Sequence, residues 1–140
     1  MDALYTTEAL STGAGRDGHV AVAGSDLAFD LAVPKEMGGS SAGANPEQLF
    51  AAGYAACFHS ALQAVARGRK IAIEGSSVGS RVSIGSNGEG GFQLAVQLEV
   101  VIPELDHATA QELADAAHEV CPYSNATRGN IDVTVTVSDD

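Results

Sequence analysis

The stretch from Asn45 to Arg67 constrains this chain more than any other part of it. Asn45-Pro46-Glu47-Gln48 has the chemistry of a helix start: Asn45 can cap, Pro46 suits the first turn and Gln48 can return a capping-box contact. Gly68 supplies a stop. Between Leu49 and Ala66 only Tyr54, His59, Ser60 and Gln63 are polar. A helix that is apolar on nearly every side has to be covered on nearly every side. One small sheet covers one face, so this helix is expected to lie across a sheet and against something else.

The rest of the sequence supplies the sheet. Residues 4–12 read as a strand, followed by a glycine-rich turn at 13–18. Residues 19–23 and 27–33 read as two strands joined by Gly24-Ser25-Asp26, a hairpin signal. A Gly- and Ser-rich loop spans 34–44. Residues 77–85 and 92–102 are predicted strands around a turn containing Asn87-Gly88. An amphipathic helix is expected over 106–120, with Leu113, Ala116, Ala117 and Val120 on one face, interrupted by Pro122. Residues 130–137 alternate cleanly, Ile131, Val133, Val135 and Val137 facing one way. Strands outnumber helices and come as hairpins, so the fold class is α+β, an antiparallel sheet around a long central helix. The length, 140 residues, fits one domain over 1–140.

Composition excludes several functions. Seven basic residues against eighteen acidic ones give a formal charge of −11, and no basic patch stands out, so neither nucleic acid nor a membrane surface is an expected partner. The N-terminus lacks a basic region followed by an apolar one, and the longest unbroken apolar run, 49–58, is short for a membrane span. The expected location is cytoplasmic, where paired cysteines lean toward transient redox, metal or core roles rather than a structural disulfide.

The chemistry rests on two cysteines. Cys57 lies mid-helix, where a free thiol is either an inert core atom or a nucleophile. Cys121 ends a helix and precedes Pro-Tyr-Ser, where the backbone is expected to be partly open. A zinc site from Cys57, His59, His118 and Cys121 fails on geometry, because residues two apart on a helix diverge by about 200°; no metal is expected. A reactive Cys57 needs a thiolate. Burial opposes ionisation and the helix dipole does not reach mid-helix, so a cation must come from elsewhere. Arg16, in the glycine-rich turn, is the best candidate, though it also fits a solvated turn. Glu47 precedes Cys57 by about 15 Å of helix, so it could enter the Cys57 site directly only from a second copy of the chain. A homodimer with the active site at its interface follows as an expectation. Gly13-x-Gly15-x-x-Gly18 matches the dinucleotide fingerprint by letter but opens onto no predicted helix.

Asn45-Pro-Glu-Gln-Leu-Phe-Ala-Ala-Gly-Tyr-Ala-Ala-Cys57-Phe58, with Val120-Cys-Pro-Tyr-Ser-Asn-Ala-Thr-Arg-Gly-Asn-Ile-Asp-Val133 and Gly15-Arg16-Asp17-Gly18, closely resembles the organic hydroperoxide resistance proteins of the Ohr/OsmC superfamily. The resemblance covers essentially the whole chain. It implies an intertwined homodimer whose sheets wrap around central helices, and a thiol peroxidase acting on organic, including fatty-acid, hydroperoxides. It implies Cys57 as the peroxidatic cysteine and Cys121 as the resolving one, with Arg16 holding the thiolate and Glu47 orienting Arg16. It implies no bound cofactor, and regeneration by dihydrolipoamide or a lipoylated protein. An apolar pocket including Leu49 and Phe50 would favour bulky peroxides. Two other readings stay open on the residues alone: a binder of small apolar or acyl ligands with inert thiols, and thioester or hydrolase chemistry at Cys57, which would need a nearby His base.

Overall fold

The computed structural model describes residues 1–139. They form two compact units, Met1–Leu49 and the segment from Phe50 onward.

The first unit is an antiparallel sheet in the order β1-β2-β3, with β1 at Ala9–Thr12, β2 at His19–Val22 and β3 at Ala28–Asp30. The first strand is shorter than the 4–12 expected, and every one of its residues is exposed. Between β1 and β2 the chain makes a single 3-10 turn at Gly15–Asp17. No helix follows it, so the glycine pattern belongs to a tight turn. Gly18 has to be glycine, because a Cβ there would fall against the Thr12 carbonyl oxygen. The turn is tied down by Asp17, whose Oδ1 accepts the Val33 N–H at 2.9 Å. The loop after β3 returns to it through a bridge between Leu31 and Ala44, which sets the entry into α1.

Helix α1 runs Pro46–Gly68. Its start is the expected capping box: Asn45 Oδ1 accepts the Gln48 N–H at 2.9 Å and Gln48 Oε1 accepts the Asn45 N–H at 3.0 Å. By length and composition alone α1 could cross a bilayer. In the fold, Tyr54, Phe58, Ala61, Leu62 and Ala66 form a buried face, at the spacing of one helical stripe.

The second unit carries a sheet in the order β4-β5-β6, with β4 at Ser77–Ser86, β5 at Phe92–Val101 and β6 at Val133–Ser138. Strands β4 and β5 form the expected hairpin, in register from Ser77↔Val101 to Ser86↔Phe92. Asn87 holds the turn, its Oδ1 accepting the N–H groups of Glu89 and Gly91. Strand β6 departs from the antiparallel expectation: it pairs in parallel with β5. Alternation along a strand shows which side chains face the core but not which way the partner runs. Here two helices separate the strands, and a connection of that length permits a parallel crossover.

Those helices are α2, His107–Val120, capped by Asp106, and α3, Pro122–Thr127. The interruption expected at Pro122 is a restart: proline occupies the first turn of α3, where its missing N–H costs nothing. The buried face of α2 is Ala110, Leu113, Ala114 and Ala117. At about 100° per residue this face is centred between Ala110 and Ala117, which leaves Val120 about 70° away at its edge, exposed rather than in the core. The core joins these residues to the buried face of α1 and to Val96, Leu98, Val100 and Ile102, with Ile131, Val133, Val135 and Val137 packed against it.

Among the described residues, the opposite face of α1 is exposed. Leu49, Ala52, Ala56, Ser60, Ala64 and Arg67 are exposed. Within the second unit the sheet and helices bury one face of α1, the share of cover expected from one small sheet.

Candidate active site

In the first unit, the 3-10 turn holds Arg16 and the capping box holds Glu47 at the start of α1. The two meet in a fork: Arg16 Nη1 donates to Glu47 Oε2 at 2.8 Å and Nη2 to Oε1 at 2.7 Å. Bidentate pairs of this kind fix orientation as well as charge. The hydrogen bonds from Arg16 hold the Glu47 carboxyl below its usual range, and Glu47 in turn raises the guanidinium. This fork forms within one chain, so Glu47 needs no second copy to reach Arg16.

In the second unit, the two cysteines converge. Cys57 is half-buried and Cys121 fully buried; both are free thiols. The Cys121 thiol donates to the Cys57 sulfur across 3.7 Å. Cys121 closes α2 through its N–H to Ala117 O at 2.9 Å, and its carbonyl accepts the Asn125 N–H of α3 at 2.9 Å. The open backbone expected here is corrected. Because α3 restarts immediately, the joint folds into the core and Cys57 is the more accessible thiol.

Burial pushes the Cys57 thiol up from its ordinary value, and the neighbouring Cys121 adds to the rise; the nearby backbone N–H of Tyr123 opposes it. The sequence reading missed this donor. The signal was present in Cys-Pro-Tyr-Ser, because a proline that starts a helix leaves the next N–H groups without an intrahelical acceptor.

Around the thiols lie aromatic rings and a buried polar chain. Phe50, Tyr54 and Tyr123 pack with ring centroids 5.6 to 6.0 Å apart. The Tyr54 hydroxyl bonds Ser124 Oγ at 2.9 Å and Thr127 Oγ1 at 3.1 Å. Ser124 Oγ also meets His118 Nδ1 at 2.7 Å. Burial, with Arg128 nearby, holds His118 below the usual histidine range and so favours the neutral ring. His59 Nε2 bonds Ser76 Oγ at 3.0 Å. The described residues contain no cluster of three or more His, Cys, Asp or Glu side chains able to hold a metal. Phe50 lines an open apolar hollow of about 440 Å³ with Pro122, Tyr123, Ala126 and Thr127. Leu49, 36% exposed, lies at the end of the first unit.

Of the residues singled out from sequence, the structure pairs Arg16 with Glu47 and Cys57 with Cys121, one pair in each unit. Fold and site together define a class: α+β chains that hold two reduced cysteines, remote in sequence, within a short approach of a disulfide. Residues 38–136 match the model of the family described as OsmC-like protein. The organic hydroperoxide resistance protein of Xanthomonas axonopodis pv. citri is 51% identical over 137 residues, covering 96% of this chain and 95% of that protein. OhrB of Bacillus subtilis is 47% identical over 131 residues, with 94% and 96% covered. Among solved structures, an organic hydroperoxide resistance protein from Elizabethkingia anophelis superposes with a TM-score of 0.94 at 50% identity over the whole of both chains. One from Legionella pneumophila gives 0.93 at 52%, covering 98% of this chain and 99% of that one. The chain belongs to the OsmC-like family, within its organic hydroperoxide resistance branch.

Proposed function

We propose that this protein is a cysteine-based peroxidase that detoxifies organic hydroperoxides, fatty-acid hydroperoxides included, by reducing them to alcohols. The observation that carries the reading is the approach of Cys57 and Cys121 to 3.7 Å. The Cys57 thiolate attacks the distal peroxide oxygen, the O–O bond breaks, and the alkoxide leaves and takes a proton to become the alcohol. Cys57 is left as a sulfenic acid. Cys121 attacks that sulfur, the S–O bond breaks, and the hydroxyl departs as water with the proton from Cys121. An external dithiol, dihydrolipoamide or a lipoylated protein, then restores both thiols through a mixed disulfide and is itself oxidised to the cyclic disulfide.

Burial opposes ionisation of Cys57, so this reading assigns Arg16 to hold the thiolate and Glu47 to orient Arg16 through the fork. Phe50, and Leu49 beside it in sequence, take the alkyl part of the substrate. A second copy of the chain covers the exposed face of α1, in an intertwined homodimer whose sheets wrap around the two helices. The reading places the protein in the cytoplasm, where a dithiol reductant is available.

The deciding experiment is intact mass spectrometry after one equivalent of an alkyl hydroperoxide. A loss of two hydrogens mapped to Cys57 and Cys121 is expected; unchanged mass, or oxygen added at a methionine alone, would sink the reading. A second reading, an apolar-ligand binder with inert thiols, draws on the full burial of Cys121. It requires slow labelling of both thiols in the native protein, whereas the peroxidase requires fast labelling of Cys57.

A further inference from the structure

Gly53 lies inside α1, one residue before Tyr54 and four before Cys57. Its backbone is helical, so conformational freedom is not what glycine provides there, and a glycine inside a helix costs about 1 kcal/mol relative to alanine. What it provides is space. A Cβ at Gly53 would stand 2.8 Å from the Tyr123 hydroxyl oxygen and 3.2 and 3.3 Å from two ring carbons. The Tyr123 ring therefore rests directly on the α1 backbone, between Phe50 and Tyr54. The backbone N–H of the same residue favours the Cys57 thiolate, and Cys121 stands two positions earlier, at the joint between α2 and α3. Below the ring, Tyr54 grips the same short helix through Ser124 and Thr127.

We propose that Gly53 and Tyr123 are positioning residues for disulfide closure: the bare backbone at Gly53 seats the Tyr123 ring, and that seat holds α3, and with it Cys121, within reach of Cys57. The proposal rests on the peroxidase reading for its biological use, but the closure it concerns is a property of the thiol pair alone. The clash that an alanine would create is with the outer end of a side chain, so the ring is the part that yields and the fold survives.

The test compares wild type, Gly53→Ala, Tyr123→Ala and the double variant, with diamide as oxidant. Diamide takes two hydrogens from the thiol pair and becomes the hydrazine, so no peroxide chemistry is involved. Closure is followed as the loss of two hydrogens in the intact mass. Gly53→Ala is expected to close at least about tenfold more slowly, because displacements near 1 Å are that costly to a reacting geometry. Its melting temperature should not fall. In a Cys121→Ser background, Gly53→Ala should also move the alkylation of Cys57 by iodoacetamide to higher pH, through loss of the Tyr123 N–H. Tyr123→Ala should be slow in itself and should make Gly53→Ala silent. Combining Gly53→Ala with Tyr123→Phe, which removes the nearest clashing atom, should recover part of the rate. Unchanged closure and an unchanged alkylation profile in Gly53→Ala would overturn the proposal. So would slowing by Gly53→Ala that persists in full in the Tyr123→Ala background, or a wild-type pair that diamide cannot close. If diamide closes the pair normally but an alkyl hydroperoxide does not, the peroxidase reading fails and the seat stands.

Discussion

The two units of the chain hold their chemistry by opposite means. The thiol pair is embedded in a packed core, with Tyr54, Phe58, Leu98, Leu113 and Cys121 all fully shielded from solvent. The Arg16–Glu47 pair belongs to a unit built on a thin three-stranded sheet; the first strand is wholly exposed, and the unit's only buried apolar side chain among the described residues is Ala32. That unit is organised by directional contacts: ladder bonds, Asp17 on Val33, the capping box and the fork. Packing places groups whose distance must be short and fixed, as between two sulfurs. Hydrogen bonds place a charge that has to stay ionised in partial contact with water.

The contrast can be tested, beginning with the largest effect. Cys57→Ser should abolish turnover of an organic hydroperoxide entirely, whereas Cys121→Ser should allow one oxidation and then accumulate sulfenic or over-oxidised Cys57, visible by mass. Full peroxidase activity in Cys57→Ser would remove the thiol pair from the chemistry. Leu62→Ala, in the packed core, should cost about 2–5 kcal/mol in urea unfolding. Leu10→Ala, on the exposed strand β1, should stay within about 0.5 kcal/mol if the chain is alone. A cost for Leu10 approaching that for Leu62 would mean that another molecule covers the first unit, and would sharpen the dimer proposal into a location.

The charge pair has a pH signature. Because the folded Glu47 carboxyl is held below its ordinary value of 4.5, its contribution to stability is complete above that pH and is lost as pH falls through the folded value. Wild type should therefore exceed Glu47→Gln in stability at neutral pH, with the gap narrowing in acid; a gap independent of pH would show that the fork is not the source. If the two pairs act together, Arg16→Ala should move Cys57 alkylation to higher pH, and an unchanged profile would leave the thiol pair to its own surroundings. Asn45→Ala should cost about 1 kcal/mol from the lost cap, read as a shift in the urea midpoint.

What the sequence made legible was local. The capping box, the β4–β5 hairpin and the stripe on β6 each depend on residues within a turn or two of one another, and each formed as expected. The direction of β6, the position of Val120 at the edge of its helix and the burial of Cys121 depend on how α2 and α3 return to the core, which no local pattern encodes. The site divides in the same way. Arg16, Glu47, Cys57 and Cys121 could be singled out from residue type, position and family resemblance. The Tyr123 N–H was legible only indirectly, through the proline that starts α3, because a backbone donor has no letter in the sequence. The polar chain from Tyr54 through Ser124 to His118 joins residues far apart along the chain, and none of them is unusual by itself.

The parallel pairing of β6 with β5 also orders events during folding. The β4–β5 hairpin can close in about 1–10 μs, since its partners are neighbours in the chain. Strand β6 can dock only after the segment containing α2, Cys121 and α3 has folded back over the sheet, a non-local step that carries a larger loop-closure entropy and is correspondingly slow. Cys121 travels on that segment. The two thiols are therefore brought together by the folding back of that segment, before or as the last strand docks, and a chain that has not yet taken this step lacks the fixed approach of the two sulfurs.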